Sequence, residues 1–314
     1  MSTGRARVLF GAPDRLWPDY REAIPRACAE LGVEVDLARD HPPGEVDWLV
    51  YAPGGEVADF APFSRAKGVL SLWAGVERIL SQVPSHLPLT RMVDEGLRQG
   101  MVEWVTAHVL RHHIGMDAHI LGQDGTWRNK APKLATERPV TVLGLGEMGL
   151  SSALALAALG FPVTGWTRTP RAEPRLARTL SGEEGLGEAL RAAEIVVLLL
   201  PLTSGTENLM DARRLVLPPQ GFILLNAGRG ALMDDAALLA ALDAGQVGHA
   251  TLDVFHQEPL PPDHPFWAHP RVTVTPHVAA ATRPATAARV IAENLRRGEA
   301  GEPLLHVVDR RAGY

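Results

Sequence analysis

Cysteine occurs once in these 314 residues, and aromatic side chains make up only 5% of them. The single thiol, Cys28, cannot close an intrachain disulfide. Inside the helical pattern from Ile24 to Leu31 it reads as a small buried hydrophobe, not a nucleophile. Lysine is scarce beside arginine, and the formal net charge is −5, so the electrostatics give no reason to expect nucleic acid. No apolar run approaches membrane length. The longest, Ile195 to Leu200, is strand-sized. The early Val8-Leu9-Phe10 is too short for a signal-peptide core, which makes the cytoplasm the expected location. A Gly-x-Ser-x-Gly elbow and a phosphate loop ending in Gly-Lys-Ser/Thr are both missing, and no internal repeat or low-complexity tract is visible. His112 and His113 are adjacent and face different sides of a helix. His264 and His269 have no Cys or carboxylate at ligand spacing. No metal site is expected.

The chain does have hydrophobic residues, 46% of the total, enough for two domains. Short strands alternate with helical stretches through the first hundred residues. Val8-Leu9-Phe10 leads to an amphipathic segment from Tyr20 to Leu31. Then come Val33-Glu34-Val35, Asp47 to Tyr51, a helix near Val57 to Ala66, and Val69 to Leu72. This alternation predicts a small parallel α/β sheet. Residues 101–121 read as one long helix, followed by a polar loop from Gly122 to Pro139. A second series of strands then starts at Val140 and continues through Val163, Ile195, Phe222, Ala250 and Val272. Asp234 to Ala244 is a capped helix within it. The unbroken run Ile195 to Leu200 suits a central strand covered on both faces. A last helix, near Ala285 to Arg296, precedes an apolar tail, Pro303 to Val308, expected to dock on the first domain. The expected division is 1–100 plus 284–314 for one domain and 101–283 for the other.

Strand Val140 to Leu143 runs straight into Gly144-Leu145-Gly146-Glu147-Met148-Gly149, and a helix follows. A lone GxGxxG is weak, but this strand–glycine–helix context is that of a dinucleotide seat. The first glycine permits the tight turn, the second lets backbone approach a pyrophosphate, and the third allows close helix–sheet packing. A nicotinamide cofactor without a 2′-phosphate usually meets an acid at the end of the next strand. Here that place holds Thr167-Arg168-Thr169-Pro170-Arg171. An acid would repel a 2′-phosphate and Arg168 can pair with one, so NADPH is favoured and NADH is possible.

Three charged residues follow in order: Arg229 in Asn226-Ala227-Gly228-Arg229-Gly230, Glu258 before Pro259-Leu260, and His277 in Thr275-Pro276-His277. Taken singly, each has an ordinary structural reading as a loop charge, a turn residue or a core histidine. Together they supply what carbonyl reduction requires beside a hydride donor. Arg229 can hold carboxylate and carbonyl oxygens, His277 can give the proton, and Glu258 can favour the imidazolium. All three fall at or after the ends of expected parallel strands, the edge where open α/β sheets bind ligands.

These segments, with Leu200-Pro201-Leu202-Thr203 and Leu252-Asp253-Val254, resemble the D-isomer-specific 2-hydroxyacid dehydrogenases over nearly the whole chain. Leu72 to Glu77, Gly100 to Val105, Trp166 to Thr169, His264 to Trp267 and the Val308-Asp309-Arg310 tail resemble the glyoxylate/hydroxypyruvate reductase A branch. The resemblance implies a Rossmann-type cofactor domain inserted in a flavodoxin-like substrate domain, both doubly wound parallel sheets, with the active site in the cleft between them. It implies catalytic roles for Arg229, Glu258 and His277, and substrate contacts from Tyr51, Ala74, Gly75, Val76, Arg229 and Trp267. Gly75 and Val76 would act through backbone N–H groups at a helix start. The cofactor would meet Gly144, Leu145, Gly146, Glu147, Met148, Thr167, Arg168, Thr169, Leu200, Pro201, Thr206, Asn226, Ala227, Gly228, Asp253 and His277. A homodimer with the 101–121 helix at its interface is also implied. The branch often has a Trp in the segment where this chain has Val50-Tyr51-Ala52-Pro53, which bears on substrate size through Tyr51, and its second basic residue is displaced by Thr169-Pro170 before Arg171. The expected reaction is NADPH-dependent reduction of glyoxylate or hydroxypyruvate. A bulkier, phenylpyruvate-like 2-oxo acid, or a corepressor-like role sensing nicotinamide, are the alternatives.

Overall fold

A computed structural model describes residues 5 to 314 and divides into two α/β units. One takes in the chain as far as Leu97 and again from Ala281 to Tyr314. The other is the contiguous stretch Arg98–Ala280. In chain order the first unit contributes β1 (Ala6–Gly11), α1 (Trp17–Glu30), β2 (Val35–Ala38), β3 (Trp48–Tyr51), β4 (Gly68–Ser71) and β5 (Leu89–Thr90). Helix α2 (Glu95–His113) begins in the first unit and ends in the second, and α3 (Met116–Ile120) follows it. Then come β6 (Val140–Leu143), α4 (Glu147–Ala158), β7 (Val163–Thr167), β8 (Arg178–Ser181), α5 (Gly182–Arg191) and β9 (Ile195–Leu198). The series continues with α6 (Ala212–Leu215), β10 (Phe222–Asn226), α7 (Asp235–Asp243), β11 (Val247–Leu252) and β12 (Val272–Val274). Helix α8 (Pro284–Glu299) belongs to the first unit again.

Every strand pair in both sheets is parallel. The first unit has the order β2-β1-β3-β4-β5, the flavodoxin-like winding, with its switch point between β1 and β3. The second has β12-β11-β10-β9-β6-β7-β8, the Rossmann order with one strand added. The apolar run at β9 shows why such strands need no polar face. Val196 and Leu198 join one buried cluster, with Leu143, Leu224 and Leu252. Ile195 and Val197 join another, with Val140, Val142 and Leu225. Successive side chains point to opposite faces, and both faces are covered.

In the first unit, Cys28 is fully buried in α1, and burial pushes its thiol up to about 12, so it is inert as a nucleophile. The tail docks within this unit: Val307 bridges Thr90, and the Val308 amide donates to the Leu89 carbonyl at 2.8 Å. Arg310 donates to the carbonyls of Leu80, Val83, Pro84 and Leu87 at 2.8–3.1 Å. Those acceptors lie in irregular chain whose carbonyls have no ladder to join.

Several elements differ from the sequence expectation. The long helix starts earlier, at Glu95, because the Asp94 side chain accepts the Leu97 amide at 3.1 Å and caps it. It stops at His113, and a left-handed Gly115 separates it from α3, so 101–121 is not one helix. No helix forms over 57–66, where Pro62 lacks the amide a helix needs, and the chain runs through turns instead. The second strand is Val35–Ala38, not 33–35. The edge strands β5 and β8 carry no strong sequence signal, whereas helix α5, unforeseen, buries an apolar face of Leu186, Ala189 and Leu190.

Candidate active site

The glycine turn after β6 has the three-part geometry expected of a dinucleotide seat. Gly144 has a φ of 101°, and a Cβ there would lie 2.7 Å from the Leu199 carbonyl oxygen. A Cβ on Gly149 would lie 1.8 Å from the Gly144 oxygen, so only glycine lets α4 sit this close to the turn. A Cβ on Gly146 would meet nothing within 4 Å, so the space above this residue is open. Gly146 is also the N-cap of α4, and no side chain caps the helix. Free amides at a helix start, below open space, are what a pyrophosphate requires. Leu145 turns its side chain into the core and offers only backbone, while Glu147 is exposed and Met148 is half-buried.

At the end of β7, the Thr167 hydroxyl donates to the Thr169 carbonyl at 2.7 Å and closes a small turn. Arg168 is exposed at the tip of that turn, and no ion pair or hydrogen bond engages its side chain among the described residues. The Arg171 guanidinium instead donates to the Leu145 carbonyl and ties this loop back to the glycine turn. After β9, Thr206 donates to the Pro201 carbonyl at 2.7 Å and accepts the Thr203 amide at 2.8 Å. This closes the turn that follows the buried Leu200. After β10, the Asn226 amide group donates to the Arg229 carbonyl at 2.9 Å, and its oxygen accepts the Gly228 amide at 3.0 Å. Asn226 is fully buried, so the turn bearing Ala227, Gly228 and Arg229 is stapled from below.

Arg229 is half-buried, and its Nη1 donates to the Gly228 carbonyl at 2.6 Å. A Cβ on Gly230 would fall 2.0 Å from the Phe255 carbonyl carbon. That glycine allows the Arg229 turn to touch the loop leaving β11. In that loop Glu258 accepts the Phe255 amide on Oε1 at 3.0 Å, and its Oε2 lies 2.7 Å from His277 Nδ1. An ionised carboxylate only accepts, so Nδ1 carries the hydrogen. Nε2 has no partner among the described residues, and the imidazole is half exposed. The pair therefore has the form of a proton-transfer group, with one nitrogen anchored to an acid and the other presented outward. Trp267 is 51% exposed and donates its indole N–H to the Pro261 carbonyl at 2.9 Å.

In the first unit, Tyr51 is 3% exposed at the end of β3, and its ring packs edge-on against Phe60 at 5.2 Å. Its ring belongs to the core of that unit. Ala74 and Gly75 are half-buried, and Val76 is buried. The helix start expected at Gly75–Val76 does not form. Val76 accepts the amides of Ile79 and Leu80, but the chain there makes separate turns, not a helix.

Sequence reading missed two groupings. His112, Asp117 and His249 bring one ligand atom each to within 4.8 Å of one another. With metal–ligand bonds of about 2.0–2.2 Å, two ligands of one zinc ion lie no more than about 4 Å apart, so this group is spread wide for an ion. Arg111 already grips both Asp117 oxygens at 2.6 and 2.9 Å, and the histidine Nε2 atoms pair with the Thr251 and Thr273 hydroxyls at 2.9 Å. The second grouping surrounds Asp253. It is 1% exposed, with Oδ1 accepting the Thr275 hydroxyl at 2.6 Å and the Val278 amide at 2.9 Å, and Oδ2 accepting the Ala279 amide at 3.0 Å. The only sequence signal for it is Thr275, two residues before the histidine.

Comparison with known proteins identifies the family. Residues 104–279 match the model of the D-isomer specific 2-hydroxyacid dehydrogenase NAD binding domain. The glyoxylate/hydroxypyruvate reductase A of Serratia proteamaculans (strain 568) is 39% identical over 274 residues, 85% of this chain and 87% of that protein. That of Photorhabdus laumondii is 40% identical over 275 residues, with the same coverage. The structure of a D-isomer specific 2-hydroxyacid dehydrogenase from Xanthobacter autotrophicus Py2, in complex with NADPH and MES, is similar with a TM-score of 0.92 and 40% identity. It covers 99% of this chain and 100% of that one. The NADPH-dependent glyoxylate/hydroxypyruvate reductase of Sinorhizobium meliloti, in complex with NADP and sulfate, gives a TM-score of 0.84 at 33% identity, with 99% and 100% coverage. This chain belongs to the D-isomer specific 2-hydroxyacid dehydrogenase family, in its glyoxylate/hydroxypyruvate reductase A branch.

Proposed function

We propose that this enzyme reduces a small 2-oxo acid, glyoxylate or hydroxypyruvate, to the 2-hydroxy acid with NADPH, and that His277 donates the proton. The observation that carries the reading is the 2.7 Å contact of His277 Nδ1 with Glu258, which leaves Nε2 outward-facing. A reduced nicotinamide held at the Gly144–Gly149 turn supplies the hydride. As negative charge develops on the carbonyl oxygen, the imidazolium Nε2–H protonates it, and Glu258 compensates the positive charge on the ring beforehand. Arg229 offers planar paired N–H groups to the substrate carboxylate and carbonyl oxygen. Asn226 and Gly230 fix the turn that presents it. Arg168, exposed at the end of β7, supports NADPH over NADH, since no acid stands there to repel a 2′-phosphate. The NADPH and NADP in the Xanthobacter and Sinorhizobium structures support the same preference.

A homodimer is part of the proposal. Ile114, Met116, Ile120, Leu121, Trp127 and Leu134 are exposed on a short stretch of the second unit. Large apolar side chains exposed this close together in sequence suit cover by a second copy. Sedimentation velocity showing a monomer across the micromolar range would remove this element and leave the chemistry untouched.

The test of function is nicotinamide oxidation, followed by absorbance, with glyoxylate, hydroxypyruvate, pyruvate and phenylpyruvate, each with NADPH and with NADH. Fast turnover of the first two with NADPH is expected. Turnover confined to phenylpyruvate would overturn the substrate assignment, and silence with every acid despite tight NADPH binding would favour a sensing role.

A further inference from the structure

His277 sits in a backbone conformation that side chains other than glycine avoid, with a φ of 55°. A left-handed non-glycine residue persists only where its surroundings over-determine it. Here the determinant is Asp253. Besides the three bonds to its carboxylate, its carbonyl accepts the His277 amide at 2.9 Å. The 275–279 loop is thus wrapped around one buried acid. Thr275 fixes how that acid points. Its hydroxyl has a single hydrogen, given to Asp253, and in turn accepts the indole N–H of Trp104 at 3.3 Å. The polarity admits no other arrangement, because an indole only donates and an ionised carboxylate only accepts. Trp104 is 9% exposed on α2, and its ring lies 4.5 Å from that of His108, tilted by 55°.

We propose that Thr275 and Trp104 are positioning residues for His277: the relay from Trp104 through the Thr275 hydroxyl to Asp253 sets the loop that aims the proton donor. Neither touches the reacting groups. The inference rests on the reading of His277 as proton donor and adds to it where that donor's aim is determined. It also gives Asp253 a duty separate from any contact with the nicotinamide, since both of its oxygens are already engaged by the loop.

The test compares four variants of the full chain, T275V, T275S, W104F and H277A, in NADPH-dependent glyoxylate reduction. NADPH affinity is measured separately by fluorescence titration, and folding by thermal unfolding. Valine keeps the shape of threonine and removes the hydroxyl, whereas serine keeps the hydroxyl. A misaimed catalytic group of about 1 Å costs on the order of a hundredfold. T275V should lose roughly ten- to a hundredfold in kcat, with NADPH affinity within about threefold of the parent. T275S should stay within about threefold in kcat, and W104F should fall by several-fold, since it breaks one end of the relay. If T275V fails to fold, T275S and W104F decide: equal activity of W104F and the parent overturns the relay. T275V at parental kcat, or T275S losing as much as T275V, overturns it too. Loss of NADPH binding in step with kcat points to general disruption and also overturns it. H277A separates the two readings. If H277A turns over normally, the proton-donor assignment itself fails. If H277A is dead while T275V is unaffected, only the positioning inference fails.

Discussion

Glu258 joins two elements with its two oxygens, holding the Phe255 amide at 3.0 Å and His277 Nδ1 at 2.7 Å. The same carboxylate therefore shapes its own loop and orients the imidazole. Replacing it with glutamine keeps an acceptor for Phe255 and removes the charge that supports the imidazolium. Glu258→Gln should lower kcat by on the order of ten- to a hundredfold, while KM for NADPH changes little. Steady-state kinetics with both substrates varied checks it, and an unchanged kcat would refute the role.

His277→Ala removes the group whose Nε2 faces outward. Turnover should fall by roughly 10²- to 10⁴-fold, the usual worth of a positioned acid, and NADPH affinity should stay within a few-fold. A variant that loses cofactor binding instead would show that His277 serves the cofactor and not the proton.

Arg168 has no side-chain partner among the described residues. Arg168→Ala should raise KM for NADPH by about tenfold or more, the value of a charge-assisted bond, and leave KM for NADH nearly constant. The ratio of kcat/KM for the two cofactors reads this directly. Parallel changes for both would mean that the guanidinium stacks on the adenine.

Gly230 lies where a Cβ would be 2.0 Å from the Phe255 carbonyl carbon. Gly230→Ala must push the Arg229 turn away from the Glu258 loop. We expect a stability loss of about 1–3 kcal/mol from overpacking, with turnover falling further than stability alone accounts for. Urea unfolding beside kinetics on the folded protein separates the two effects.

His112 and His249 give the fold a pH dependence. Burial first, then neighbouring positive charge including that of Arg111, lowers His112 to about 3 and His249 to about 4. In the unfolded chain a histidine protonates near about 6.5. As pH falls below that value the unfolded state takes up protons that the fold refuses, so stability is lost, with most of the loss between about pH 6.5 and pH 4. His112→Gln should flatten the slope of unfolding free energy over that window. An unaltered slope would count against the assignment.

The framework is legible in the sequence because these glycine spacings and unbroken apolar runs fit few structures. Gly144, Gly146 and Gly149 each match a distinct spatial demand, and Ile195 to Leu198 suits only a strand covered on both faces. Arg229, Glu258 and His277 each follow a strand, and of the three the fold brings Glu258 to 2.7 Å from His277. What escapes is whatever depends on long-range pairing. Strand β5 has two residues and β8 is an exposed edge, so neither carries an apolar pattern. Tyr51 reads as a pocket residue in the sequence, yet four consecutive buried positions in β3 take its ring into the core. The Trp104–Thr275–Asp253 relay joins residues up to 171 positions apart and leaves no trace in local sequence.

The division of the chain bears on how it is made. The Arg98–Ala280 unit is contiguous, so all of its strands have left the ribosome before the whole of α8 has emerged. The other unit is assembled from two separate stretches of sequence. Its β5 strand meets Val307 and Val308, and its 80–87 carbonyls meet Arg310, only after more than two hundred further residues have been added. Domains emerging early fold first. The glycine turn, Arg229, Glu258 and His277 can thus be in place on a nascent chain whose opening β-strands still await their closing segment. A nonsense mutation just ahead of codon 307 would spare the dinucleotide seat and strike the amino-terminal sheet.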